Sequence, residues 1–317
     1  MNVRIAGTGS YLPVKTLSND DLSKIMDTSH DWIVQRTGIH QRHIAAEGEL
    51  TSDMATKAAE KALKAANVSA DDIDFIVCAT TTPDLTFPAT AVTIQAKLGL
   101  KKDSFALDVQ AVCSGFVYAL SVGNNFIKAG QGQKGLIIGA EKMSSLLDWT
   151  DRSTAVLFGD GAGAVVIEAT KEEGILSTHL HSDGTLCDIL KTSGGAAQSE
   201  HVGKVTMEGR AVFKHAVIKL AQSVEEALSH NNISADDIDW FVPHQANERI
   251  IDAVADRLGF PLEKVIKTAR NQANTSAASI PLALDDAVKN GKIQKGDLVV
   301  IDALGAGLSW GSALIKW

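Results

Sequence analysis

The chain has 317 residues, 45% hydrophobic and 21% charged, a composition that suits about two ordinary domains with substantial cores and argues against disorder. Its net charge of −8 argues against sequence-independent binding to nucleic acid, which needs a positive field to displace counterions from phosphates. No apolar run approaches the roughly eighteen residues of a membrane span, the first residues lack a signal-like stretch, and Cys78, Cys113 and Cys187 form no Cys-x-x-Cys pair, so the expectation is a cytoplasmic protein without a membrane anchor, disulfide frame or zinc site.

The first half opens with a helical apolar pattern from Ala59 to Ala66, a polar turn, and a short apolar run ending at Val77 that reads as a buried strand. The next helix closes on Leu98-Gly99, where glycine suits a left-handed cap. Cys113 follows the apolar run Phe105-Ala-Leu-Asp-Val109 and opens a helix-like stretch from Gly115 to Ala129. Gly135-Leu-Ile-Ile-Gly-Ala140 and Ala164-Val-Val-Ile167 look like strands covered on both faces, as in α/β layers. Lys171-Glu-Glu-Gly174 breaks the pattern, which places a boundary near residue 173 and divides the chain into 1–173 and 174–317.

The second half repeats this design. A helical pattern from Val217 to Leu228 precedes Ile233-Ser-Ala-Asp-Asp-Ile-Asp-Trp-Phe-Val242, which returns Val68-Ser-Ala-Asp-Asp-Ile-Asp-Phe-Ile-Val77 at an offset of 165. A helix closes on Leu258-Gly259, and Leu298-Val-Val-Ile-Asp-Ala303 reads as another buried strand. Three further landmarks recur at one interval: Cys113 and Asn274, Gly130 and Gly291, and Gly135 and Gly296 are each 161 positions apart. A thiol and an amide therefore hold equivalent places in a duplicated α/β chain, and a pseudo-twofold axis lets them face each other.

These residues suggest chemistry. At a helix N-terminus the Cys113 thiol gains some acidity, although lowering a pKa of about 8.5 to 7 takes about 2 kcal/mol and a helix terminus typically supplies about 0.3–1, so a further partner is expected. His244 ends the apolar run Asp239-Trp-Phe-Val-Pro243, the strand-end position where α/β folds bind ligands. Asn274 either caps a helix or donates to a substrate carbonyl; paired with His244 it can stabilise an enolate. His179 and His181 alternate without a third metal ligand and suit a strand or loop role. The glycine-rich segments Phe158–Ala164 and Leu304–Gly311 match neither a dinucleotide fingerprint nor a P-loop and read as loops approaching a site. A basic stretch at Arg249, Arg257, Lys264, Lys267 and Arg270 is interleaved with acids.

At Cys113, His244 and Asn274 the chain resembles the ketoacyl-acyl carrier protein synthase III family, the starter condensing enzymes of dissociated bacterial fatty acid synthesis. The likeness runs end to end through Gly7-Thr-Gly-Ser-Tyr-Leu-Pro13, Trp32-Ile-Val-Gln-Arg-Thr-Gly-Ile39, Arg42-His-Ile-Ala45, Asp151-Arg152, Phe158-Gly-Asp-Gly-Ala-Gly163, Pro243-His-Gln-Ala-Asn247 and Asn274-Thr-Ser-Ala-Ala-Ser279. It implies a thiolase-like fold with two duplicated halves in α-β-α-β-α layers. It also implies a ping-pong reaction, in which Cys113 takes a short acyl group, such as acetyl, from acyl-CoA. Malonyl-acyl carrier protein then loses carbon dioxide with His244 and Asn274 holding its thioester carbonyl, and the carbanion attacks the acyl-cysteine to give 3-oxoacyl-acyl carrier protein. No cofactor or metal is implied.

By the same resemblance the backbone amides of Cys113 and Ala306 form an oxyanion hole, and Trp32 and Arg152 sandwich the CoA adenine. Thr28, Arg36 and Asn247 contact CoA, and Phe213 lines the pantetheine tunnel. Phe87 bounds the acyl pocket of a neighbouring subunit, which implies a homodimer, and Arg249, with Arg257 and Lys214, docks the acidic carrier protein. Ala273 and Ala306 stand where the family commonly has glycine, and Leu304 where it has a bulky aromatic. The other readings of Cys, His and Asn are a related acyltransferase or condensing enzyme of specialised metabolism, a cysteine thioester hydrolase in which Asn orients His, and a scaffold that only binds CoA.

Overall fold

The protein is seen in a computed structural model that describes residues 1–101, 103–198 and 201–317. The chain begins β1 (Asn2–Tyr11), α1 (His30–Thr37), α2 (Thr51–Ala66), β2 (Phe75–Ala79), α3 (Thr90–Leu98), β3 (Phe105–Val109), α4 (Gly115–Lys128), β4 (Lys134–Lys142) and β5 (Asp160–Thr170). It continues β6 (Ile175–Ser182), α5 (Gly209–Asn231), β7 (Trp240–Pro243), α6 (Glu248–Leu258), α7 (Ser279–Lys289), β8 (Leu298–Gly305) and β9 (Ser309–Lys316). Left-handed Gly99 and Gly259 close α3 and α6, as their sequence predicts.

The duplication is visible in the sheets. One has the order β1-β5-β4-β2-β3 and the other β6-β9-β8-β7. In both, the central strand pairs antiparallel on one side and parallel on the other. Val265 makes a parallel bridge to Phe241 on β7, the place that β3 takes beside β2 in the first sheet.

The apolar runs carry a hidden alternation that builds the layers. Along β2, Phe75, Val77 and Ala79 enter the central core, whereas Ile76 and Cys78 face the core beneath α2 and α3. Along β8, Val299, Ile301 and Ala303 face the centre, and Val300 and Leu304 face the core beneath α5 and α6. Between the sheets lie α4 and α7, which contribute Phe116, Leu120, Ile280 and Leu284 to one apolar cluster. The order is thus α-β-α-β-α, with sheets buried on both faces.

The segment expected as a glycine-rich loop at Phe158–Ala164 is strand from Asp160 onward. A Cβ at Gly163 would lie 2.7 Å from the backbone nitrogen of Leu282, so glycine is there to let α7 press on β5. At Leu304–Gly311 only residues 306–308 form the loop, and both flanks belong to the β8–β9 hairpin.

Candidate active site

Cys113 sits in the tight turn Val112–Ser114 between β3 and the first residue of α4. Its counterpart Asn274 sits between the short helix Ala269–Gln272 and the turn Ser276–Ala278 that leads into α7. His244 follows the end of β7, and its backbone N–H donates to the carbonyl of Asp302 on β8 at 2.8 Å. Strand ends and the two central helices therefore bring all three to one place. They line a single cavity of about 670 Å³.

The Asn274 backbone is pinned on both sides, its N–H to the Leu157 carbonyl at 2.9 Å and its carbonyl to the Gly159 N–H at 3.0 Å. Its side-chain oxygen accepts the Ser276 N–H at 2.8 Å. The amide oxygen caps the local turn and the NH2 group remains for the cavity, so capping and donation coexist in one side chain. Nδ1 of His244 lies 2.6 Å from Ser279 Oγ, which leaves Nε2 as the ring nitrogen for a ligand. Burial holds the imidazole neutral, with its pKa lowered to about 3.

The thiol differs from its expectation. Burial pushes the Cys113 pKa up to about 12; a hydrogen bond with Ser276 opposes this, and the charge of Glu141 adds to it. The resting sulfur is therefore protonated, because desolvation outweighs what a helix N-terminus supplies. Glu141 is itself fully buried and accepts from Ser276 Oγ at 3.0 Å, Thr82 Oγ1 at 2.8 Å and the Thr81 N–H at 3.1 Å. Burial nevertheless raises its pKa to about 7.

Most of the other expected residues surround this cavity. Trp32, Arg36, Arg152, Phe213, Asn247 and Arg249 line it. The Arg152 guanidinium carbon lies 5.1 Å from the Trp32 ring centroid and that of Arg36 lies 4.5 Å away. Arg152 also donates to the Asp27 carbonyl at 2.6 Å, so its guanidinium is tied down beside the Trp32 ring. Asn247 caps α6 by accepting the Ile250 N–H at 3.0 Å. Thr28 lies outside the lining, its buried hydroxyl without a hydrogen-bond partner.

A second cavity of about 280 Å³ shares Cys113, Phe158 and Leu190 with the first and is further walled by Met143, Leu146 and Val205. Ala306 lines it too. A Cβ at Gly305 would lie 2.8 Å from the Cys113 backbone nitrogen, so glycine lets the end of β8 reach the Cys113 amide. Phe87 lines neither cavity and stands 83% exposed. Lys214, Arg249 and Arg257 are exposed on α5 and α6 and, among the described residues, have no ion pair. Of the rest of that basic stretch, Lys267 pairs with Asp252 and Lys264 donates to the Ile238 carbonyl at 2.7 Å.

The family models for 3-oxoacyl-[acyl-carrier-protein] synthase III match residues 107–184 and, for its C-terminal part, 228–317. A beta-ketoacyl-[acyl-carrier-protein] synthase III of Paramagnetospirillum magneticum is 58% identical over 99% of this chain and 98% of the relative. The chain belongs to the synthase III family. It is accordingly an acyltransferase, a condensing enzyme of fatty acid synthesis with the thiolase fold. The synthase III crystal structure from Aquifex aeolicus VF5 superposes with a TM-score of 0.94 at 46% identity, covering 99% of this chain and 100% of that one. The one from Pseudomonas aeruginosa PAO1 gives 0.95 at 42% identity, covering 100% and 98%.

Several residues that matter here escaped the sequence reading. Ser276 donates its N–H to the Asn274 oxygen, Ser279 hydrogen-bonds the His244 ring, Glu141 accepts from Ser276, and Gln245 staples the segment after β7 by donating to the Pro243 and Ile266 carbonyls at 2.7 and 3.0 Å. Cys187 lines the second cavity. His179 and His181 both reach Glu226, at 3.2 and 2.6 Å, and among the described residues no cluster suits a metal ion.

Proposed function

We propose that this member of the family condenses a short acyl-CoA, acetyl-CoA or a near homologue, with malonyl-acyl carrier protein through an acyl-Cys113 intermediate. In the first stage the Cys113 sulfur bonds to the acyl carbon, the carbon–sulfur bond to CoA breaks, and the thiol proton leaves with CoA. Backbone amides of Cys113 and Ala306 hold the tetrahedral oxyanion. The acyl group then occupies the smaller cavity, whose Met143, Leu146 and Val205 walls suit an alkyl chain. In the second stage malonyl-carrier protein loses carbon dioxide while His244 and Asn274 donate to its thioester oxygen; the carbanion bonds to the acyl carbon, the carbon–sulfur bond to Cys113 breaks, and the released thiolate takes up a proton from solvent to restore the thiol. The products are 3-oxoacyl-carrier protein, CoA and carbon dioxide, and no cofactor takes part.

One observation carries this reading: the thiol, imidazole and carboxamide share a cavity in which the last two are held as hydrogen-bonding groups. The same hydrogen bonds weigh against a hydrolase triad. There the asparagine would orient the histidine, whereas Ser279 holds Nδ1 here and Ser276 holds the Asn274 oxygen.

The larger cavity is the entrance for both substrates. Trp32 stacks the adenine once Arg152 moves, Arg36 and Asn247 contact CoA, and Phe213 borders the pantetheine. Lys214, Arg249 and Arg257 form the face that meets the acidic carrier protein. We further propose a cytoplasmic homodimer, with the fold divided near residue 173 in each subunit. The exposed Phe87 and Leu85, and the half-buried edge strand β3, supply an unpartnered apolar face on which a second copy packs and its Phe87 closes the acyl cavity.

Mass spectrometry tests the reading directly. Intact protein exposed to mixed acyl-CoAs gains the mass of a short acyl group on Cys113, and malonyl-carrier protein then discharges it as 3-oxoacyl product. Acylation that decays to free acid without the malonyl acceptor would establish the hydrolase instead.

A further inference from the structure

We propose that Ser279 is a positioning residue that holds His244 in the tautomer with its proton on Nε2, so that the ring offers a donor and not a base to the cavity. Ser279 is the first residue of α7, its side chain buried and its Oγ 2.6 Å from His244 Nδ1. A hydroxyl has one hydrogen to give and two lone pairs to receive. The Gln245 N–H already donates to Oγ at 3.3 Å and takes one of those lone pairs. Among the described residues no group other than Nδ1 is placed to accept the hydroxyl hydrogen. With the proton on Nδ1, ring and backbone would both donate to Oγ and leave a buried O–H unpaired, which folded proteins avoid. With the proton on Nε2, the O–H donates to Nδ1 and every group is satisfied.

The neighbouring turn sets Asn274 the same way, since the Ser276 N–H occupies its oxygen and turns its NH2 to the cavity. One short segment, residues 276–279, therefore presents two donors to the same carbonyl. His244 in that state does not accept the Cys113 proton, which is why the first stage sends that proton out with CoA. Burial, which keeps the ring neutral, supports the assignment.

This inference deepens the proposed condensation, and its decisive readout is independent of turnover. In 15N-histidine-labelled protein, long-range 1H–15N correlation spectra report which ring nitrogen is protonated, with His244 assigned by the cross-peaks missing from H244Q. The wild type shows Nε2–H. In S279A the ring shifts toward the Nδ1–H form and malonyl-carrier decarboxylation falls about tenfold or more, while acyl transfer from acyl-CoA to Cys113 changes less. S279T, which keeps the hydroxyl, restores both. An Nδ1–H ring in the wild type overturns the proposal whether or not the variants fold; so does an S279A enzyme with an unchanged tautomer or an equal loss in both stages. Should no acyl-cysteine form at all, the condensation reading fails and the spectrum still decides the tautomer.

Discussion

The turn at Cys113 and the turn at Asn274 occupy the same place in the two halves, each ahead of a helix of the central layer. Both follow a residue in the left-handed region, Val112 at φ 49° and Ala273 at φ 59°, a position that disfavours any side chain. Beyond this shared cradle they diverge. The carboxamide is held at its backbone N–H, its carbonyl and its side-chain oxygen. The thiol, by contrast, has only hydrogen bonds with Ser276 and with its own backbone in its favour, and these are outweighed by desolvation. In the proposed cycle a positive-φ residue thus precedes both a donor that must stay fixed and a nucleophile that must exchange proton, acyl group and partner.

The largest effect expected from breaking that division comes from Asn274→Ala. Losing one preorganised donor should slow malonyl-carrier decarboxylation by about 10²–10³-fold, while acylation of Cys113, followed by mass spectrometry, is affected much less. Equal losses in the two stages would mean that the two turns do not divide the work.

Glu141 touches both turns, accepting from Ser276 and placing its charge near Cys113. Burial lifts its folded pKa from an ordinary 4.5 to about 7, so its contribution to stability is complete below about pH 4.5 and fades as pH rises through 7. Wild-type stability should therefore fall between pH 5 and 8 by up to about 3 kcal/mol from this group alone. Glu141→Gln should shrink that fall in denaturant titrations at the two pH values. It should also lower the thiol pKa of Cys113, read from the pH dependence of iodoacetamide alkylation.

The smallest effect concerns the cradle itself. Ala273 has φ 59° and ψ −166°, a combination that is essentially reserved for glycine. Ala273→Gly should relieve that strain, partly offset by the greater freedom of glycine in the unfolded chain, for a net gain of about 1 kcal/mol in denaturant unfolding. A destabilised variant would show that the methyl group, buried against its surroundings, contributes more by packing than it costs in strain.

Repetition in the sequence was enough to expect two like halves, because Ser-Ala-Asp-Asp-Ile-Asp recurs before a buried strand and Cys113 and Asn274 recur at one interval. Local signals also foresaw α4 and the glycine-capped ends of α3 and α6, since capping and apolar periodicity act within a few residues. The thiol, imidazole and carboxamide that line one cavity were legible as candidates too, each being a chemically distinctive side chain at a strand or helix end. What the sequence could not display was the protonation of those groups. The thiol is desolvated by residues far along the chain, the imidazole proton is placed by Ser279 from 35 positions away, and Glu141 meets Ser276 across 135. Burial and hydrogen-bond direction depend on which distant segments pack together, so only the folded layers decide which of these groups is an acid, which a donor and which a nucleophile.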